Sequence, residues 1–361
     1  MIELTSFESY DLNYKDKIDP LARNQLKLNR FKELTRHHLE NCKEYKKILI
    51  AWGFNINGFS DFGELPFIPA SLFKSMELIS SPRAKVRKTM TSSGTTGQKK
   101  SHIYLDEINS RDQARALAKT LIQSLKVDRG PLLIIDNKST IQNKLEFSAR
   151  SAGVLGFSVI GSPICFALND DMSLDLKGIE SFLSNHKNSK IVLFGFTSII
   201  WEHFITKLEN LGVQLNLTNA IMIHGGGWKK LTDKEISNEV FRDSLYRNTK
   251  IKTVSNYYGM VEQGGSIFVE CKMGFMHTTP YNEIIVRRHK DFAVCDFGEV
   301  GIIQVLSVLP TSYPGHSILT EDQGRVLGTD DCLCGNSGKY FLVDGRLPNA
   351  EIRGCSDTYS F

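Results

Sequence analysis

Ser92, Ser93, Gly94, Thr95, Thr96 and Gly97, then Gln98, Lys99 and Lys100, gather hydroxyls, glycines and ammonium groups into one short stretch. Glycines let the backbone turn its N–H groups inward as a nest. Hydroxyls and lysines complete a donor-lined cradle for anionic oxygens, which makes a polyphosphate the natural guest. A Ser/Thr/Gly surface turn shares the hydroxyls and glycines, but not paired lysines leading into an extended His102-Ile103-Tyr104-Leu105 segment. A Walker loop needs four residues between its glycines and then Gly-Lys-Ser/Thr. Here two residues separate Gly94 from Gly97, and Gln98 follows.

Two other groups of residues have chemical potential. Gly225-Gly226-Gly227 permits close approach by a flat group or a phosphate, with a glycine hinge as the alternative reading. Cys332-Leu333-Cys334-Gly335 is half of a thiolate grip, and Cys271 with His277, across Gly274, completes a Cys₃His set suited to tetrahedral Zn²⁺. The alternative is four reduced side chains packed in loops.

The elements that must carry these residues follow from hydrophobic periodicity. Residues 24–52 read as one amphipathic helix, and Pro66 and Pro69 break the pattern after it. Helices are expected over 112–125, 148–155, 179–185 and 198–210, and strands over 131–136, 157–160, 190–196 and 219–224. Strand and helix taking turns in this way predict an α/β fold with substantial parallel sheet, whose ligands gather at the carboxyl ends of the strands. Gly225 and the Val254-to-Gln263 stretch both lie at such ends.

With 361 residues, 41% hydrophobic and 23% charged, the chain has material for one large core or two unequal ones. A net charge of +4 without a long basic run gives no footprint for nucleic acid. Arg287-Arg288-His289-Lys290, the densest cluster, reads as a solvated turn. The N-terminus has neither basic leader nor apolar signal core and nothing approaches a membrane span, so a cytoplasmic location is expected. Seven cysteines argue for thiols or metal ligands rather than a disulfide framework; Cys42, Cys165 and Cys295 read as core or incidental.

The order Ser-Gly-Thr-Thr-Gly-x-x-Lys resembles the phosphate loop of the adenylate-forming superfamily, which activates carboxylates with ATP. That resemblance implies nucleotide contacts at Ser92, Ser93, Gly94, Thr95, Thr96 and Gly97, with Lys99 as the nearby cation. It matches the adenine-facing glycines to Gly225, Gly226 and Gly227, and a Tyr-Gly-x-Thr-Glu motif to Tyr258-Gly259-Met260-Val261-Glu262, in a segment that also carries Asn256 and Tyr257. Tyr258 would then stack on adenine and Glu262 would hold Mg²⁺, while Val261 stands where the family has Thr or Ser. Asp322 matches the acid that accepts the ribose hydroxyls, although Glu321 replaces a Gly and no Arg precedes Thr320. The phenylacetate-CoA ligase branch carries a similar Glu-Cys, Gly, His and Cys-x-Cys-Gly series.

The stretch from Tyr340 through Arg346 to Cys355 resembles the hinge of these enzymes. The expected organisation is a helical N-terminal segment at 1–75, an α/β core with the ATP site at 76–344, and a hinge-like tail at 345–361 in place of the small C-terminal domain. From about Phe62 onward the chain resembles the acyl-protein synthetases of the bacterial luminescence fatty acid reductase. Such enzymes adenylate a fatty acid and move the acyl group to a cysteine near their own C-terminus, then to a reductase subunit. Cys355 occupies that neighbourhood. The other functions kept in view are an acyl- or aryl-CoA ligase of the phenylacetate type and a non-catalytic acyl-binding subunit.

Overall fold

Apolar runs without polar alternation belong to strands covered on both faces, and the computed structural model has three of them side by side, Gly130–Asn137, Ile191–Phe196 and Ala220–Gly225, flanked by two further parallel strands. It describes residues 4–14, 19–54, 58–92, 100–142, 148–227 and 236–347. The chain divides into two compact units. One contains Leu117–Tyr258, and its parallel strands lie in the order Gly161–Leu168, Gly130–Asn137, Ile191–Phe196, Ala220–Gly225, Thr253–Tyr258. Leu132, Leu133, Leu193, Phe194, Met222 and Ile223 are fully buried in it.

The intervening helices begin where polar side chains cap free backbone N–H groups. Ser148 accepts from Ser151 N at 3.1 Å to start Ala149–Ser158, and Asp175 accepts from Gly178 N at 3.0 Å to start Leu176–Asn185. After Ile191–Phe196 the helical stretch from Thr197 to Leu211 contains a π segment, Ile200–Ile205.

The strand expected at 157–160 is not there. Phe157 belongs to the helix Ala149–Ser158, its ring stacked 3.9 Å from that of Phe194, and the strand begins at Gly161. Gly161 and Pro163 are residue types that favour turns, which hides this strand from hydrophobic periodicity. Pro163 is tolerated because this is an edge strand, where a missing N–H removes no ladder bond.

The second unit comprises, so far as described, residues 4–91, 100–116 and 259–347. Its sheet runs Asn282–Arg287, Gly301–Ser307, Ser317–Thr329, Lys339–Arg346, Met276–His277, Phe268–Glu270, with Ile68–Pro69 added in parallel to Ser317–Thr329. A separate hairpin pairs Val86–Thr91 with His102–Asp106.

The single helix expected over 24–52 is two, Pro20–Asn41 and Lys43–Ala51, because Cys42 adopts an extended conformation between them. Asp19 caps the first by accepting from Leu21 N and Ala22 N. Its Phe31 and Leu34 pack with Leu65, Ile285 and Leu306, and Lys27 reaches Glu283 at 3.1 Å with both side chains buried. The expected solvated turn at 287–290 is half a strand end. Arg287 is buried and donates to Gln304, Phe292 O and Gly63 O. Among the described residues no helix is long and apolar enough to cross a membrane.

Candidate active site and metal centre

Thr91 and His102 are ladder partners, so the two strands that flank residues 92–101 are paired at their ends. Ser93, Gly94, Thr95, Thr96, Gly97 and Lys99 lie outside the described residues. Ser92 is buried and Lys100 is exposed. Immediately before His102, Ser101, itself fully buried, donates to Glu262 Oε1 at 2.6 Å. A carboxylate that is 2% exposed is costly to bury without hydrogen bonds or a cation, and Ser101 supplies one such bond.

The backbone around Glu262 is fixed as tightly as its side chain. Tyr313 Oη donates to Glu262 O at 2.9 Å, and Gln263 Nε2 donates to Val305 O and Gly315 O at 3.0 and 2.8 Å. Gly265 lies so close to Gln113 that a Cβ would collide with its backbone. Periodicity could not single out Ser101 or Tyr313, because each is defined by a partner far away in the chain.

Asp322 and Arg346 are ladder partners. Arg346 Nε is 3.4 Å from Asp322 Oδ1, and its Nη2 donates to Glu321 at 2.8 Å. The acid matched to the ribose hydroxyls and the arginine of the hinge-like motif therefore stand together.

In the other unit, Gly225 ends its strand beside Tyr257 of the next one, and a Cβ there would strike the Tyr257 ring. Tyr257 also packs 4.9 Å from Phe157. Tyr258, the next residue, faces the opposite side of the strand and is half-buried. Asn256 accepts from Tyr257 N at 2.8 Å. Gly226 adopts φ +78° and turns the chain away from the strand, while a Cβ at Gly227 would meet none of the described residues within 4 Å. Gly259 follows Tyr258 and begins the stretch of the second unit that leads to Glu262.

Cys271, His277, Cys332 and Cys334 converge, with one ligand atom from each lying within 4.8 Å of the others. Zinc–sulfur and zinc–nitrogen bonds of about 2.3 and 2.0 Å place tetrahedral ligands at such separations. Two similar turns build the cluster. Gly274 and Gly335, at φ +81° and +86°, return their N–H groups to Cys271 O and Cys332 O. Met273 N then donates to Cys271 Sγ, and Asn336 N to Cys334 Sγ, each at 3.3 Å.

These donors favour thiolate. Burial pushes the Cys334 thiol up to about 11, which a bound divalent cation would have to reverse. His277 presents Nε2 to Cys334 Sγ at 3.3 Å and stacks on Tyr340. Its Nδ1 is buried with no hydrogen-bond partner among the described residues. Cys355 lies outside the described residues.

A protein-family model described as acyl-protein synthetase, LuxE, matches residues 5–360. A 64-residue stretch is 34% identical to a long-chain-fatty-acid–luciferin-component ligase of Photorhabdus luminescens, covering 18% of this chain and 54% of that protein. The match thus spans about half of the curated relative. Among solved structures, 2-hydroxyisobutyryl-CoA ligase in an open conformation with 2-HIB-AMP and CoA is similar at TM-score 0.71 and 14% identity, covering 92% of this chain and 77% of that one. The same enzyme in its postadenylation state is similar at TM-score 0.70 and 13% identity, over 91% and 68% of the two chains. Identities this low establish the fold alone. The chain belongs to the LuxE acyl-protein synthetase family and has the α/β fold of adenylate-forming ligases.

Proposed function

We propose that the chain uses ATP to activate a carboxylic acid, of the fatty-acid class, and transfers the acyl group to a protein cysteine. The substrate carboxylate attacks the α-phosphorus, the bond to the bridging oxygen breaks, and pyrophosphate leaves with the electron pair. A thiolate then attacks the acyl carbonyl and AMP departs. Cys355 is the acceptor in this reading, and a reductase subunit the onward partner.

Residues Ser92 to Gly97 and Lys99 hold the β- and γ-phosphates, Asp322 with Arg346 the ribose end, and Gly225 to Gly227 with Tyr258 the adenine. Asn256, Tyr257 and Gly259 support that segment. Glu262 fits the hard-oxygen preference of Mg²⁺, which would supply charge neutralisation to the polyphosphate. Catalysis on this scheme is mainly positioning and electrostatic stabilisation.

The observation that carries this reading is the Ser101–Glu262 hydrogen bond, which joins the start of the strand after residues 93–99 to the carboxylate this proposal assigns to Mg²⁺, across 161 residues of sequence. Cys271, His277, Cys332 and Cys334 would hold a structural Zn²⁺ that cross-links two turns and takes no part in the reaction. Metal analysis should find about one zinc per chain, reduced in Cys334→Ser.

Intact mass after incubation with Mg-ATP and long-chain fatty acids tests the acceptor. An acyl increment is expected on the wild type, released by hydroxylamine and lost in Cys355→Ser. An increment on both proteins would reject Cys355. Acyl-CoA formed from added CoA, without protein acylation, would favour the CoA ligase alternative.

A further inference from the structure

His224, near the end of strand Ala220–Gly225, is 3% exposed, and its Nδ1 lies 2.8 Å from Thr197 Oγ1. The same hydroxyl lies 3.1 Å from the carbonyl oxygen of Gly225, and Thr197 is itself buried. Nε2 of His224 is buried without a hydrogen-bond partner among the described residues. A hydroxyl has one proton to give, so the two contacts admit two assignments. If Thr197 donates to His224 Nδ1, the Gly225 carbonyl receives nothing from it and Nε2–H becomes an orphaned buried donor. If Nδ1–H donates to Thr197 Oγ1, the hydroxyl is released to donate to Gly225 O, and only a lone pair is left at Nε2.

The second assignment makes one more hydrogen bond and avoids the orphaned donor, which is the costlier fault. Burial, with Arg242 nearby, pushes His224 down to about 3. The ring is therefore neutral at neutral pH, with a single ring proton to place.

Gly225 O belongs to the rigid peptide plane that joins Gly225 to Gly226. Gly226 is the residue whose φ of +78° turns the chain out of the strand. Holding that carbonyl also fixes the direction of the Gly226 N–H on the opposite edge of the plane. We propose that His224 and Thr197 form a relay of positioning residues that orients the Gly225–Gly226 peptide toward an adenine nucleotide. This rests on the reading of Gly225 to Gly227 as adenine-facing.

The test combines nitrogen-15 NMR of the His224 ring with equilibrium binding of Mg-ATP to wild type, Thr197→Val and Thr197→Ser, using the full chain. The wild type should show Nδ1 protonated and Nε2 bare. Thr197→Val should bind ATP about 10-fold more weakly, and Thr197→Ser should restore affinity. An Nε2–H ring in the wild type overturns the relay, as does a Thr197→Val variant that binds ATP like the wild type. A wild type that shows the expected ring signature but does not bind ATP overturns the nucleotide reading, and the proposed role with it. Should Thr197→Val fail to fold, the wild-type ring spectrum and Thr197→Ser decide.

Discussion

In the parallel unit the candidate residues stand where strands end: Gly225 closes Ala220–Gly225, and Asn256, Tyr257 and Tyr258 close Thr253–Tyr258. In the antiparallel unit they meet through long-range pairs. Ser101 meets Glu262, Asp322 meets Arg346, and two turns bring Cys271 and His277 to Cys332 and Cys334. The first kind of placement follows from topology and tolerates sequence change along each strand. The second depends on individual contacts, so single substitutions should be felt more sharply there.

Both units also bury an ion pair. Lys27 and Glu283 are 256 residues apart, whereas Arg150 and Asp136 are 14 apart. Removing either partner leaves a buried charge, and Lys27→Ala or Arg150→Ala should each cost about 3–5 kcal/mol. Urea midpoints would check this. Lys339, 3.5 Å from Glu283, should soften the loss in the first variant. Equal losses would show that Lys339 gives Glu283 no compensation.

Acid should act on both units alike. Burial holds His224 and His316 down to about 3, against about 6.5 in the unfolded chain. Between those values the unfolded state binds more protons. Stability is therefore fully present above about pH 6.5 and lost as pH falls toward 3, by about 2 kcal/mol per histidine between pH 7 and 5. Urea titrations at the two pH values should show that slope, with His224→Phe and His316→Phe each removing a share. Glu283 adds to the loss only at lower pH. Burial raises its pKa, but Lys27, Lys339 and the Ile284 N–H outweigh that and hold it at about 2.

Ser101→Ala should weaken apparent Mg²⁺ affinity by about 10–100-fold, the usual cost of losing a group that orients a metal ligand. Mg²⁺ titration of ATP-dependent acyl transfer reads this directly, and Ser101→Thr should recover much of the loss. An unchanged midpoint would separate Ser101 from Glu262 in function.

The difference between the units also governs what can be read in sequence. Strands Gly130–Asn137, Ile191–Phe196 and Ala220–Gly225 follow from uninterrupted apolar runs. The edge strand Gly161–Leu168 does not, because Gly161 and Pro163 mimic a turn and Phe157 is spent on a helix. The thiolate cluster is legible because Cys-x-Cys-Gly and Cys-x-x-Gly encode local turns whose left-handed glycines expose sulfur to backbone donors. Thr197 carries no such signal: it is one threonine among many until His224 and Gly225 are placed beside it.

The most direct test of the account is acid-dependent exchange of labelled pyrophosphate into ATP by wild type and Glu262→Gln, with Mg²⁺ and a panel of fatty acids. Exchange that requires both Mg²⁺ and the acid, and falls by two orders of magnitude or so in Glu262→Gln, is the predicted result. No exchange by the wild type with any acid, or undiminished exchange by the variant, would contradict it.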